Sequence, residues 1–159
     1  MIAFENVYKQ YKDIDALQNI SFEIKEGEIF GYIGPNGAGK TTTIKIMVGL
    51  IKDFTGVYNF HNLTMPKNIT QISRMLGYLP QGVSFHDWRT INQALLTFGK
   101  LSGLNEDEIE HQVKYLLKLF DLLDVRYKRI SKLSGGMIQK VGLIQALLHI
   151  VNPKNWTII

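Results

Sequence analysis

The stretch Gly34-Pro35-Asn36-Gly37-Ala38-Gly39-Lys40-Thr41-Thr42 constrains this chain more than any other. It follows the pattern glycine, four residues, glycine, lysine, Ser/Thr. The apolar run Ile29-Phe30-Gly31-Tyr32-Ile33 precedes it and predicts a buried parallel strand. Ile44, Met47, Val48 and Ile51 recur behind it at helical spacing, predicting a helix from Lys40 to about Ile51, with Gly49 near its end. Strand, glycine loop and helix form an anion cradle. Glycines let successive N–H groups turn toward one phosphate, and the helix N-terminus adds partial positive charge. In that cradle Lys40 reaches the β- and γ-phosphates and the Thr41 hydroxyl ligates Mg²⁺. The alternative is a glycine-rich turn that binds nothing. At average residue usage a chance match in a chain of this size has odds under ~1%.

At 159 residues the chain has the length of one domain with a real core. Its 18 basic and 14 acidic residues are scattered, so the net charge of +4 reads as a solvated surface, and no nucleic acid is expected. Cysteine is absent, which excludes disulfides and thiolate metal sites. The N-terminus lacks a signal-peptide layout. Val141 to Val151, the longest nearly apolar stretch, is too short to span a bilayer, so any membrane role must come through a partner.

Ile2, Phe4 and Val7 suggest a first strand with imperfect alternation, and Ile20, Phe22 and Ile24 a half-buried second one. Tyr11 lies between them. By position alone it is a core or surface tyrosine more readily than a base-stacking one. Gly56 to Phe60 reads as a strand, 61–75 as a loop with a short helix, and Leu76 to Leu79 as a strand broken by Pro80-Gln81-Gly82. Residues 83–130 read as helical. Thr90 with Gln93 and Asn105 with Glu108 have capping-box spacing, and Ile109, Val113, Leu116, Leu117 and Phe120 form an apolar stripe. Phe85 and Trp88 are interface residues or core anchors with equal weight. Leu133-Ser134-Gly135-Gly136-Met137 then precedes a helix expected from about Gln139 to Ile150.

With these residues in place, the chain resembles the ATP-binding cassette (ABC) ATPases from residue 1 to about 158. Gly34 to Thr41 matches the family's Walker A loop, Gln81 its Q-loop glutamine, and Leu133 to Met137 its signature, with Met137 where many members carry Gln. The segment around Leu143 to Leu148 is most similar to ATPase subunits of ABC-2-type exporters. The resemblance implies an α/β P-loop NTPase fold. Its core sheet carries an antiparallel N-terminal β-subdomain; about residues 1–82 form the β/RecA-like core with the P-loop, and about 83–132 an inserted helical subdomain. Signature, helix and the start of the Walker B strand follow at 133–159. It implies ATP bound by Tyr11, Gly34, Pro35, Asn36, Gly37, Ala38, Gly39, Lys40, Thr41 and Thr42, with Tyr11 stacking on adenine. Lys40 and Gln81 are catalytic by the same resemblance, and Thr41 and Gln81 hold Mg²⁺. Ser134, Gly135 and Gly136 would close over ATP in a second cassette paired head to tail. A transmembrane permease subunit is the other implied partner, placing the chain in the cytoplasm on the inner face of the membrane.

One departure stands out. Trp156-Thr157-Ile158-Ile159 looks like the Walker B strand, yet neither the Mg²⁺-holding Asp nor the water-activating Glu is present. The expectation is an N-terminal fragment that binds nucleotide without hydrolysing it. A second reading is a regulatory nucleotide-binding module, and a third is a fragment of a soluble ABC protein. A GTPase or small-molecule kinase would share the loop but not Leu133 to Met137.

Overall fold

The computed structural model describes residues 1–150 and the backbone of residues 157–158. The chain divides into two compact units, Met1–Arg74 and Met75–Ile159.

The first unit is built on an antiparallel sheet of β1 (Ile2–Tyr11), β2 (Ile14–Ile24), β3 (Thr55–Phe60) and β4 (Leu63–Thr64), in the order β2-β1-β3-β4. Ile2, Phe4 and Val7 are all buried, and the imperfect alternation has a local cause. The register between β1 and β2 shifts between Phe4 and Val7, and Asn6 takes a left-handed φ of 49°. The bulge adds one residue, so the buried face jumps from position 4 to position 7. Gly56 faces it, where a Cβ would lie 2.2 Å from the Asn6 carbonyl oxygen. Phe4 stacks on Phe22 (4.9 Å between centroids) and packs on Tyr58 (4.7 Å). Burial pushes the Tyr58 phenol far up from its ordinary pKa, and its neutral hydroxyl donates to the Met47 carbonyl at 3.1 Å.

The strand expected at Ile29–Ile33 does not form. Phe30 and Tyr32 pack onto Phe22, with centroids 5.3 and 5.8 Å away, while Ile29 and Ile33 are 100% and 93% exposed. The period-two alternation is present. A hydrogen-bonded neighbour is not, since among the described residues no strand lies alongside, and a strand needs one.

Helix α1 (Lys40–Met47) ends short of Ile51. Gly49 takes φ +75°, its N–H donates to Ile46 and that of Leu50 to Lys45. This pair of bonds closes a helix on a left-handed glycine. The 61–75 segment holds β4 and the short helix α2 (Ile69–Ser73), whose Ile69 side chain fills the space a Cβ on Gly49 would need.

In the second unit β5 (Leu76–Gly77) pairs in parallel with β6 (Thr157–Ile158). Two residues of the expected strand at 156–159 are thus seen in a ladder, while Trp156, Ile159 and Asn152-Pro153-Lys154 lie outside the described residues. Helix α3 (Ile91–Leu101) starts on Thr90 and α4 (Glu106–Leu119) on Asn105, each with a complete capping box. Gly103, at φ +82°, closes α3 with the same paired bonds as Gly49. Helix α5 (Gly135–Leu147) begins ahead of the expected Gln139, because Ser134 caps it. Ile109, Val113, Leu116 and Leu117 are buried with Ile91, Leu95, Val141 and Ile144 in one apolar core. Gly99 lets α3 and α4 touch, since a Cβ there would meet Ile109 at 2.7 Å. Phe85 packs edge-on against Phe98 (6.0 Å) beside this core, whereas Trp88 is 64% exposed.

Candidate functional site

The loop before α1 is shaped by two left-handed glycines, Gly37 at φ +85° and Gly39 at φ +81°. Gly39 is the helix N-cap and offers no side chain. It is there for space as well as for φ. A Cβ would lie 2.5 Å from both the Ala16 carbonyl oxygen and Leu17 Cδ2, so the loop backbone rests directly on β2. The first intrahelical bond runs from Thr43 N–H to the Gly39 carbonyl at 2.9 Å. The amides of Lys40, Thr41 and Thr42 therefore have no intrahelical acceptor. Gly34 to Ala38 and Thr41 are exposed, and Lys40 and Thr42 half-buried.

Lys40 folds back over its own loop. Its Nζ donates to the Gly34 and Pro35 carbonyls at 2.6 and 2.7 Å. Both acceptors are neutral, and among the described residues no carboxylate pairs with it. The ammonium, the free amides and the helix N-terminus thus present positive potential on one surface. Buried Thr43 braces the turn from behind, its hydroxyl donating to the Gly39 carbonyl (3.2 Å) and meeting the Tyr32 hydroxyl at 3.3 Å. Neither Thr43 nor Tyr32 is singled out by the loop pattern. Tyr32 carries a signal only as the inward member of an alternating run.

Tyr11 ends β1 and is 44% exposed. It pairs with Ile14 across the hairpin, and Lys9 pairs with Leu17, the residue against which Gly39 packs. Tyr11 and the loop are thereby carried by the same two strands. Lys9 Nζ lies 4.9 Å from the Tyr11 ring centroid and 2.8 Å from Asp53 Oδ2. A cleft of about 660 Å³ opens beside the hairpin, lined by Tyr8, Lys9, Asp15, Leu17, Asp53 and Phe54. The phosphate-loop residues do not line it.

Gln81 and the segment 134–136 belong to the other unit. Gln81 is exposed in a bend after β5, followed by Gly82 at φ +75°. Ser134 Oγ accepts the Met137 N–H at 3.3 Å. Gly135 and Gly136 form the first turn of α5 with nothing within 4 Å of a built Cβ. Each glycine costs a helix up to about 1 kcal/mol against alanine. What they leave in return is a bare, exposed helix N-terminus.

The family described as ABC transporter matches residues 17–153. The chain belongs to the ABC transporter family. The ABC transporter ATP-binding protein YxlF of Bacillus subtilis is 39% identical over 149 residues, covering 94% of this chain and 49% of that protein. The Nod factor export ATP-binding protein I of Burkholderia lata is 32% identical over 148 residues, covering 93% and 49%. Among solved structures, the dimeric ATP-binding cassette MJ0796, in a post-hydrolysis state bound to ADP and Pi, superposes with a TM-score of 0.78 at 28% identity. That match covers 94% of this chain and 70% of that one. This ABC-family chain therefore has the P-loop NTPase fold of the ABC ATPases. It spans about half the length of the curated relatives it matches. Among the described residues, no helix is long and apolar enough to cross a membrane.

Proposed function

We propose that this chain is the nucleotide-binding part of an ABC transporter ATPase subunit, of the exporter type, and that it takes MgATP on the loop Gly34 to Thr42. The observation that carries this is the loop geometry. A left-handed glycine cap lies hard against β2, three amides have no acceptor among the described residues, and an ammonium is held by two neutral carbonyls. A triphosphate brings four negative charges to donors that, among the described residues, no carboxylate neutralises. Lys40 then exchanges its carbonyl partners for phosphate oxygens, and the amides of residues 40–42 supply further bonds.

The donor set also fits Mg²⁺. Thr41 presents an exposed hydroxyl on the first turn beside Lys40, and oxygen is the donor this hard cation takes. Thr41 would hold the ion, which when bound neutralises charge on the phosphates. Tyr11 stacks on adenine in this reading. Ser134, Gly135 and Gly136 offer a second helix N-terminus to the γ-phosphate held by another cassette. The relatives' names support the transporter assignment, and the dimeric, ADP-bound neighbour supports the paired arrangement. A permease subunit completes the proposed assembly on the cytoplasmic face of the membrane, with exposed Trp88 on the side of the partner.

Calorimetric titration of MgATP into the chain and its Lys40→Ala variant tests the reading. Charge-assisted hydrogen bonds of about 1.5–3 kcal/mol predict roughly a 10–100-fold loss of affinity. Equal affinity would overturn the assignment.

A further inference from the structure

Lys9 is a lysine only 7% exposed, on the sheet that carries the nucleotide loop, and no part of the loop pattern predicts it. Three contacts explain why it is there. Its stem passes into the β1–β2 hairpin opposite Leu17. Its ammonium is drawn to Asp53 at 2.8 Å, in the segment that leads into β3. The same ammonium stands over the Tyr11 ring, 4.9 Å from the centroid. Asp53 itself is 99% exposed, so this is no sealed internal ion pair. The carboxylate aims the lysine, and the lysine covers one side of the ring.

We propose that Lys9 is a positioning residue for the nucleotide base, holding the Tyr11 ring by a cation–π contact so that its opposite face receives adenine. The inference rests on the reading that Tyr11 stacks on the base. One face of the ring is taken by the ammonium, which leaves a single face for a ligand. The ammonium also draws π-density toward itself. That lessens face-to-face repulsion with the electron-rich base on the other side. Tyr11 sits at the hairpin end, two residues beyond the Lys9–Leu17 pair, where a ring without such a hold would sample several rotamers. Ordering it in advance removes part of the entropy that stacking would otherwise cost.

The test uses the 159-residue chain with two ligands, MgATP and inorganic tripolyphosphate, which has no base. Lys9→Met keeps the apolar stem and removes the charge. It should weaken ATP about three- to tenfold and leave tripolyphosphate unchanged, while Lys9→Arg restores ATP binding. In a Tyr11→Ala background Lys9→Met should have no further effect on ATP, because the two act as a unit. Asp53→Asn, at an exposed position that does not endanger folding, should show a smaller loss of the same kind. If Tyr11→Ala weakens ATP but Lys9→Met and Asp53→Asn do not, the positioning role is wrong and base stacking stands. If Tyr11→Ala leaves ATP affinity unchanged, base stacking fails and this inference with it. Equal losses for ATP and tripolyphosphate in Lys9→Met would make Lys9 merely structural and overturn the proposal.

Discussion

The two units of this chain use glycine and helix ends in opposite ways. In the second unit every long helix starts on a side-chain cap, supplied by Thr90, Asn105 or Ser134. In the first, α1 starts on Gly39, which has no side chain to give. A side-chain cap satisfies one of a helix's first amides and stabilises its start. A helix that starts on glycine leaves them for a ligand and gives up only about a few tenths of a kcal/mol of local stability. The helix starts of the core are thus closed by their own side chains, and the loop before α1 is left to be completed. The segment 134–136 lies between these cases. Ser134 satisfies one amide, and the two glycines keep the rest of the turn bare.

The largest effect that could break this contrast is expected in the helical core. Leu116→Ala, among fully buried partners, should cost about 2–5 kcal/mol in denaturant unfolding. A loss under about 1 kcal/mol would mean the core is not closely packed. Gly39→Ala should come next. It forces a left-handed alanine and a Cβ into Ala16 and Leu17, for a combined cost of roughly 2–4 kcal/mol. It should also abolish MgATP binding, which a calorimeter would show directly. Thr90→Ala sharpens the capping half of the comparison. It removes the acceptor for the Gln93 amide, and about 1 kcal/mol should disappear.

The smallest effect belongs to the exposed pair Lys100–Glu106, 2.8 Å apart. The hydrogen bond from Lys100, and then its charge, hold the Glu106 carboxyl below its ordinary pKa. The folded value is the lower one. Any contribution is therefore present above the unfolded carboxylate range and is lost as pH falls through the folded value. Glu106→Gln should leave the unfolding midpoint at neutral pH nearly unmoved, and 1 M salt should erase what remains.

The same contrast explains what could be read from the sequence. Helix starts at Thr90 and Asn105 were legible because a cap and its reciprocal partner lie three residues apart. The core stripe Ile109, Val113, Leu116, Leu117 was legible because a helix closes its own hydrogen bonds, so periodicity suffices. Ile29–Ile33 misled for the complementary reason. Its composition is that of a strand, but a strand exists only with a neighbour, and five residues cannot say whether one is present. Helix α5 starts ahead of the expected Gln139 because two glycines read as loop, whereas Ser134 caps them into the helix. The loop residues 34–42 were legible as a spacing. The role of Ala16 and Leu17 as the floor under Gly39 was not, since it arises from a contact across the fold. Lys9 falls in the same class. Nothing local in the sequence shows that Asp53 turns it toward the ring.

The central claim is that residues 34–42 form a phosphate cradle of free amides around Lys40. Titrating MgATP into the isotopically labelled chain while following backbone amide resonances tests it most directly. The account predicts saturable shifts concentrated at Gly37, Gly39, Lys40, Thr41 and Thr42, and their loss in Lys40→Ala. Saturable binding that leaves these amides unmoved and shifts resonances elsewhere would contradict it.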